Sequence, residues 1–377
     1  MSGMTKPTIS SLIHKENTDS PRISKRVGEN HGKLQSSLSS VLQNKDKGYL
    51  MERLDEDIQT INLLKSELKK KQKEISSKEK DLKKLQKLIR KREDEGEKIV
   101  VEEPQWMSSV NSKLYDDIDI KTYRQYELAK DKVAAFYKTQ HEKQTVEYNI
   151  QARINFKTKI RDRMTIWEAL EKLNKLIDES DPDTELSQID HAIQTAEAIR
   201  RDNKPRWFQL VGLIHDLGKL LYFYDSKGQW DVVGDTFPVG CKFSKKIIFY
   251  DYFKRNPDFK NPIYNLKYGI YSANCGLDNV LISWGHDEYF FSICKNSSTL
   301  PPEALAMIRY HSCYPLHTEL EYQYLMNDHD KQMLKAVQAF NPYDLYSKTD
   351  VTYNIEELKP YYLELIDEFF PSKIVDF

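Results

Sequence analysis

The chain has 377 residues, 39% of them apolar and 31% charged, with 57 Lys+Arg against 58 Asp+Glu. That length admits one large domain or two parts, and without an apolar run of about 18 residues no membrane span is expected. The charge balance hides a polarity. Residues 1–98 hold 23 Lys+Arg against 16 Asp+Glu, and residues 99–377 hold 34 against 42. The longer part is mildly acidic, which argues against a nucleic-acid partner there.

The four cysteines, Cys241, Cys275, Cys294 and Cys313, are sparse and show no CxxC spacing. Reduced thiols and a cytoplasmic location are expected from that usage. The N-terminal stretch MSGMTKPTISSLIHKENTDS lacks the apolar h-region of a secretory signal. Its Ser/Thr-rich composition leaves organelle targeting as a lesser reading, since no Arg-rich amphipathic helix accompanies it.

In chain order, residues 1–48 are rich in Ser, Lys, Asn and Gly and poor in aromatics. Too little surface can be buried there to offset ordering entropy, so a disordered tail is expected. Residues 49–95 carry strong helix formers and no Pro or Gly, with Leu54, Ile61, Leu68, Ile75, Leu82 and Ile89 each seven residues apart. That is heptad spacing. The companion column is half polar in either phase: Met51, Ile58, Lys65, Gln72, Glu79, Gln86, or Asp57, Leu64, Lys71, Lys78, Leu85, Arg92. A coiled-coil-like helix that self-associates weakly or binds another coiled coil is favoured over a solitary charged helix.

Residues 99–377 form the third region, where Trp, Tyr and Phe become frequent. TIWEALEKLNKLIDES, HAIQTAEAIRRD, WFQLVGLIHDLGKLLYF, PEALAMIRYHSCY and DKQMLKAVQAFN each read as a helix, whereas WDVVGDTF and NVLISWG read as loops or very short extended pieces. With no alternation of strands and helices, the domain is expected to be all-α or nearly so.

The chain has nine histidines. His14 and His31 fall in the tail and His141, His317 and His329 in polar settings, where a surface or hydrogen-bonded role is the ordinary reading. His191, His215, His286 and His311 sit instead among apolar and aromatic residues. In the apolar run VGLIHDLGKLLYF, His215 and Asp216 are adjacent. Helical neighbours point about 100° apart, so both can reach one point beyond that helix end. An imidazole and a carboxylate buried together need a cation or hydrogen-bonded partners. Mixed N/O donors suit iron, manganese or zinc better than magnesium, and a carboxylate can bridge two ions. Lys219, four residues past His215 and three past Asp216, falls on the same helical face.

His191, the pair His215-Asp216 and a late aspartate resemble the HD-domain superfamily. HDLGK, VVGDTFPVGC, CGLDNVLISWGHDEY, MIRYHSCYPLHT and FNPYDLYSK, with DESDPD at 178–183 and PYYLELID at 360–367, resemble the myo-inositol oxygenase family. The resemblance runs from about Tyr123 to the C-terminus. It implies an HD-type helical bundle around two non-haem irons in an Fe(II)/Fe(III) state. His191, His215 and Asp344 would hold one iron, His286 and His311 the other, and Asp216 would bridge them. The implied reaction cleaves the ring of myo-inositol with O2, giving D-glucuronate and water, the first step of inositol catabolism. Lys219 would touch the reacting alcohol, and Arg124, Asp178, Glu179, Ser180, Gly234, Asp235 and Ser312 the polyol. The alternative within the superfamily is a metal-dependent phosphohydrolase. It would want a cationic phosphate cradle, where the sequence offers one lysine beside the metal motif. The stretch ELEYQYL (319–325) departs from the family, being bulky and acidic where glycines are expected. A different substrate lid is expected there.

Overall fold

The computed structural model describes residues 69, 73, 76–78, 80, 83–84, 104–107, 124, 126, 131–180, 187–346 and 353–377. The chain divides into two compact units, Met1–Val101 and Glu102–Phe377. In the first, Lys69, Lys73, Ser76, Ser77, Lys78, Lys80, Lys83 and Lys84 are helical and exposed. The expected disordered tail and the Leu/Ile heptad column lie outside the described residues.

The second unit is helical: α1 (Asp131–Lys143), α2 (Val146–Thr158), α3 (Ile166–Leu173), α4 (Gln188–Arg201), α5 (Arg206–Ile214), α6 (His286–Ser297), α7 (Pro302–Tyr310), α8 (Tyr314–His317), α9 (Asp328–Tyr346) and α10 (Ile355–Phe369). Two short strands, β1 (Arg163–Met164) and β2 (Val375–Asp376), pair antiparallel and tie the C-terminus back beside α3. The all-α expectation holds, with that one small sheet among the described residues.

The local chemistry explains where helices start. Thr165 and Glu168 cap α3 reciprocally, each accepting from the other's backbone N–H, and satisfy two orphan donors of the first turn. Ser187 accepts from Asp190 N (3.3 Å) at the start of α4. The helix α5 buries Phe208, Leu210, Val211, Leu213 and Ile214. Side chains of that size contribute roughly 1.5–3 kcal/mol each on leaving water. This is why an apolar run here packs against α4 rather than staying exposed.

At His215 the α-helix stops and a 3-10 helix, His215–Phe223, takes over. Its backbone runs hard against the start of α6. A Cβ at Gly218 would collide with the His286 carbonyl, so no larger residue fits that approach. The same packing joins α6 to α7 and α7 to α9, so the histidine-bearing elements converge on one point.

Three helices differ from the reading of the sequence. DKQMLKAVQAFN reads as a helix ending at Asn341, yet α9 continues through Pro342 to Tyr346. A proline removes one backbone donor there, and burial of Phe340, Tyr343 and Leu345 offsets the loss. The sequence reading names no helix over α1 and α2, whose buried faces mix apolar residues with Gln140, His141 and Asn149, and Gln144 between them is buried too.

Candidate metal centre

Five elements deliver the donors. His191 stands on α4, and His215 and Asp216 open the 3-10 helix. His286 is the first residue of α6, His311 follows α7, and Asp344 lies in the last turn of α9. At one pole His191 Nε2 is 3.1 Å from Asp344 Oδ1, and His215 Nε2 is 3.3 Å from the same oxygen. At the other, His286 Nε2 is 3.2 Å from His311 Nε2. Asp216 reaches both. Its Oδ2 lies 3.5 Å from His215 Nε2 and 3.8 Å from His191 Nε2, while Oδ1 lies 3.3 Å from His286 Nε2 and 3.6 Å from His311 Nε2. His191, His215 and Asp216, and separately Asp216, His286 and His311, are buried groups whose ligand atoms could hold a metal ion.

The rings are turned for that purpose. Nδ1 of His215 faces the Gly212 carbonyl at 2.9 Å, Nδ1 of His286 the Val232 carbonyl at 2.7 Å, and Nδ1 of His311 the Ile308 carbonyl at 3.0 Å. A carbonyl only accepts, so each Nδ1 must carry the proton, and in a neutral ring Nε2 presents its lone pair inward. His215 Nε2 is buried and makes no hydrogen bond of its own. Two Nε2 atoms facing each other at 3.2 Å, as at His286 and His311, need a shared proton or a metal cation between or beside them. The donor set fits metal ions.

The electrostatics agree. Burial works against charge on Asp216, but Lys219 and then His215 hold its carboxyl well below the usual carboxylate range. Burial likewise opposes ionisation of Asp344, and His191 and His215 outweigh it. His286 is lifted to about 10: burial alone would lower it, but Asp287 and Asp216 prevail. The cavity attracts positive charge.

Lys219 Nζ donates to Asp216 Oδ2 at 2.9 Å and pairs with Asp178 Oδ2 at 2.8 Å. Asp178 also accepts from Ser180 N (2.8 Å) and Ser180 Oγ (2.6 Å), which fixes the turn between α3 and α4. Glu179 differs from its neighbours. Its backbone N–H donates to Gln229 Oε1 (2.8 Å), but its carboxylate is exposed, 3.7 Å from Lys132.

Gly234 and Asp235 lie on the loop after Trp230. At φ +86, Gly234 occupies left-handed backbone, and a Cβ there would press into the Phe136 ring. Gln140 Nε2 donates to the carbonyls of Val233 (3.2 Å) and Asp235 (3.1 Å), and Gln144 Nε2 to that of Trp284 (2.7 Å). The polar face of α1 and its extension thus anchors the loops before Asp235 and His286. Arg124 donates to Asp235 Oδ2 at 2.6 Å, with its guanidinium 3.3 Å above the centre of the Tyr314 ring.

Three residues escaped sequence reasoning. His141 and His317 do not lie in polar surroundings: both are fully enclosed. His317 Nε2 faces the His311 carbonyl at 2.8 Å and so steadies a candidate ligand. Asp287, wholly buried, accepts from Ser312 Oγ (3.0 Å) and Ser312 N (3.2 Å). The signal was present, since SWGHDEY repeats the His-Asp pair of GLIHDLGK. In the departing stretch, Leu320 (φ +56) and Tyr322 (φ +63) adopt left-handed backbone despite their side chains. Tyr322 is buried there and its hydroxyl accepts from Ser244 N at 2.7 Å.

Comparison with known proteins points to one family. The family model described as myo-inositol oxygenase matches residues 130–377. Inositol oxygenase 1 of Arabidopsis thaliana is 51% identical over 262 residues, covering 67% of this chain and 84% of the relative. The inositol oxygenase of Dictyostelium discoideum is 47% identical over 265 residues (68% and 90%), and that of Danio rerio 48% over 245 residues (64% and 88%). With this extent of similarity around its two histidine-bearing poles, the chain belongs to the myo-inositol oxygenase family.

Proposed function

We propose that the centre holds two iron ions, one by His191, His215 and Asp344 and the other by His286 and His311, with Asp216 shared between them. The activity is that of an inositol oxygenase, an oxidoreductase. The observation that carries the two-ion reading is the outward tethering of three Nδ1 atoms, which aims the Nε2 lone pairs at both oxygens of one buried carboxylate. Bound iron supplies Lewis acidity toward the polyol and the electrons that O2 chemistry needs.

The protein's own groups do the rest. An ammonium has three donors. Two of those on Lys219 go to Asp178 and Asp216, which leaves one N–H for a hydroxyl of myo-inositol. Ser180, Asp178, Asp235 and Ser312 offer the further donors and acceptors that a neutral polyol requires. Arg124, clamped to Asp235 and stacked on Tyr314, closes the site from the chain segment before α1. The Glu179 side chain belongs to the rim, and its backbone N–H holds the Gln229 side chain. A phosphohydrolase is disfavoured, because Lys219 and Arg124 are each already committed to carboxylates.

Among the described residues no helix is long and apolar enough to cross a membrane. The four unpaired cysteines, three of them buried, support a reducing compartment and hence the cytoplasm. The heptad spacing of residues 54–89 supports weak self-association of the first unit.

Metal analysis joined to a glucuronate assay with inositol and O2 tests the reading. Wild-type protein should carry two irons per chain and form glucuronate. Asp216→Ala should lose both, since the remaining ligands would leave two unshielded cations. A variant that keeps two irons and near-normal turnover would remove Asp216 from the bridge.

A further inference from the structure

The contact between Asp287 and Ser312 has a directional consequence. Asp287 is the second residue of α6 and has no exposed surface. Its Oδ2 accepts the main-chain N–H of Ser312 at 3.2 Å and its Oδ1 the Ser312 hydroxyl at 3.0 Å. Ser312 Oγ has one other neighbour, His286 Nε2 at 3.3 Å. His286 Nδ1 faces the Val232 carbonyl at 2.7 Å and so keeps its own proton, and Nε2 also lies 2.8 Å from Asp287 Oδ1. Without a metal, a proton on Nε2 meets that carboxylate, whereas a metal-binding Nε2 is a lone pair. In the proposed centre the lone pair is given to a metal, so it no longer accepts from the serine. The hydroxyl proton of Ser312 then has a single acceptor, Asp287.

We propose that Asp287 is a positioning residue that fixes the polarity of Ser312, turning its hydroxyl into an acceptor that reads an O–H donor of the bound inositol. A hydroxyl has one proton and two lone pairs. With the proton held by a buried carboxylate, only lone pairs face the substrate. Asp287 cannot be replaced by a neutral isostere without changing this. In Asp287→Asn the carboxamide oxygen takes the Ser312 N–H, and its NH2 group meets Ser312 Oγ. The serine must then accept from Asn and point its own proton at the substrate. The inositol hydroxyl can meet that proton only by turning and giving up its own donor role, so the contact that wild type makes is lost. One hydrogen bond of this kind is worth about tenfold in affinity.

This deepens the inositol-binding reading given above and rests on it. The test uses full-length, iron-loaded protein, with iron content, thermal midpoint, KM and kcat measured for wild type, Asp287→Asn, Ser312→Ala and the double variant. Expected are unchanged iron and midpoint, a KM for inositol about tenfold higher in each single variant, and no further rise in the double variant. Singly deoxyfluorinated inositols, which lack one O–H donor each, supply the second arm. One member of the series should bind wild type more weakly than inositol does, yet Asp287→Asn about as well as inositol does.

Additive effects in the double variant, or a fluorinated series that treats both proteins alike, would overturn the polarity assignment. Loss of iron in Asp287→Asn would overturn it in favour of a direct structural role at the metal pole. Failure of the underlying reading is separately visible. Wild-type protein without iron or without inositol turnover would defeat both.

Discussion

Lys219 Nζ stands 2.9 Å from Asp216 Oδ2, one turn of 3-10 helix away, and 2.8 Å from Asp178 Oδ2 on a different segment. In an α-helix a residue four positions on would share a face with His215. In a 3-10 helix residues three apart eclipse, so the lysine stacks on Asp216 instead. The cation therefore ties the Asp216 carboxylate to the Asp178 turn, the two sides of the proposed site. Lys219→Ala should keep iron content near two per chain, because it removes no ligand and leaves the centre more negative. Turnover of inositol should fall roughly 10- to 100-fold, the loss of a charge-assisted hydrogen bond at the reacting group. Steady-state kinetics alongside metal analysis would check it, and unchanged kinetics would make Lys219 purely structural.

The same pair of residues marks what could be read in the sequence. The HD pair and the three other histidines were legible because each is a polar residue in an apolar or aromatic run, whereas Asp344 came only from the resemblance of FNPYDLYSK to the family. The 3-10 register was not, since α and 3-10 helices share composition. It follows from the packing of Gly218 on the His286 carbonyl, a contact between segments far apart in sequence. The helices α1 and α2 were hidden for a different reason. Gln140, Gln144 and Asn149 are buried to hydrogen-bond loop backbone, so a search for apolar periodicity reads their inner face as surface. Asp287 shared the His-Asp signature, but only its distance to Ser312 gives it a role.

A second buried charge cluster joins the elements that carry His286 and His311. Glu288, two residues after His286, accepts from Arg309 Nε at 2.9 Å and Arg153 NH2 at 3.0 Å, and Arg309, two residues before His311, also pairs with Asp278. Glu288→Ala leaves two guanidinium groups largely buried without their shared partner, which costs about 3–5 kcal/mol. Urea unfolding should show that loss, and iron occupancy of the His286–His311 pole should fall with it. A loss under about 1 kcal/mol would mean that solvent screens the cluster as it does a surface pair.

The first unit should be dispensable for chemistry. Every candidate ligand and polyol contact lies at or beyond Arg124, within the unit Glu102–Phe377, and the family match starts at residue 130. Protein beginning at Glu102 should keep turnover per iron and lose whatever self-association the heptad column provides. Sedimentation and glucuronate assay on both forms would separate the two statements. Inactive but folded truncated protein defeats the first, and unchanged assembly defeats the second.

Acid stability should depend on a histidine outside the metal centre. His141 stacks on Phe253, with ring centroids 4.0 Å apart, and faces the Ile248 carbonyl at 2.8 Å. Burial pushes its pKa down to about 4, against the weaker upward pull of that carbonyl. The folded state therefore binds fewer protons than the unfolded state wherever the pH lies between about 4 and the ordinary histidine value of about 6.5. Stability from this group is fully present above that window and falls as the pH drops through it. The total is roughly 3 kcal/mol by the conversion of about 1.4 kcal/mol per unit. His317, also lowered to about 4 by burial, adds to the same slope but touches a candidate ligand. His141→Gln retains a donor for the Ile248 carbonyl and cannot titrate. Urea midpoints at pH 7.5 and pH 5 should therefore differ less in the variant than in wild type. Equal differences in the two proteins would assign the acid limb to other groups.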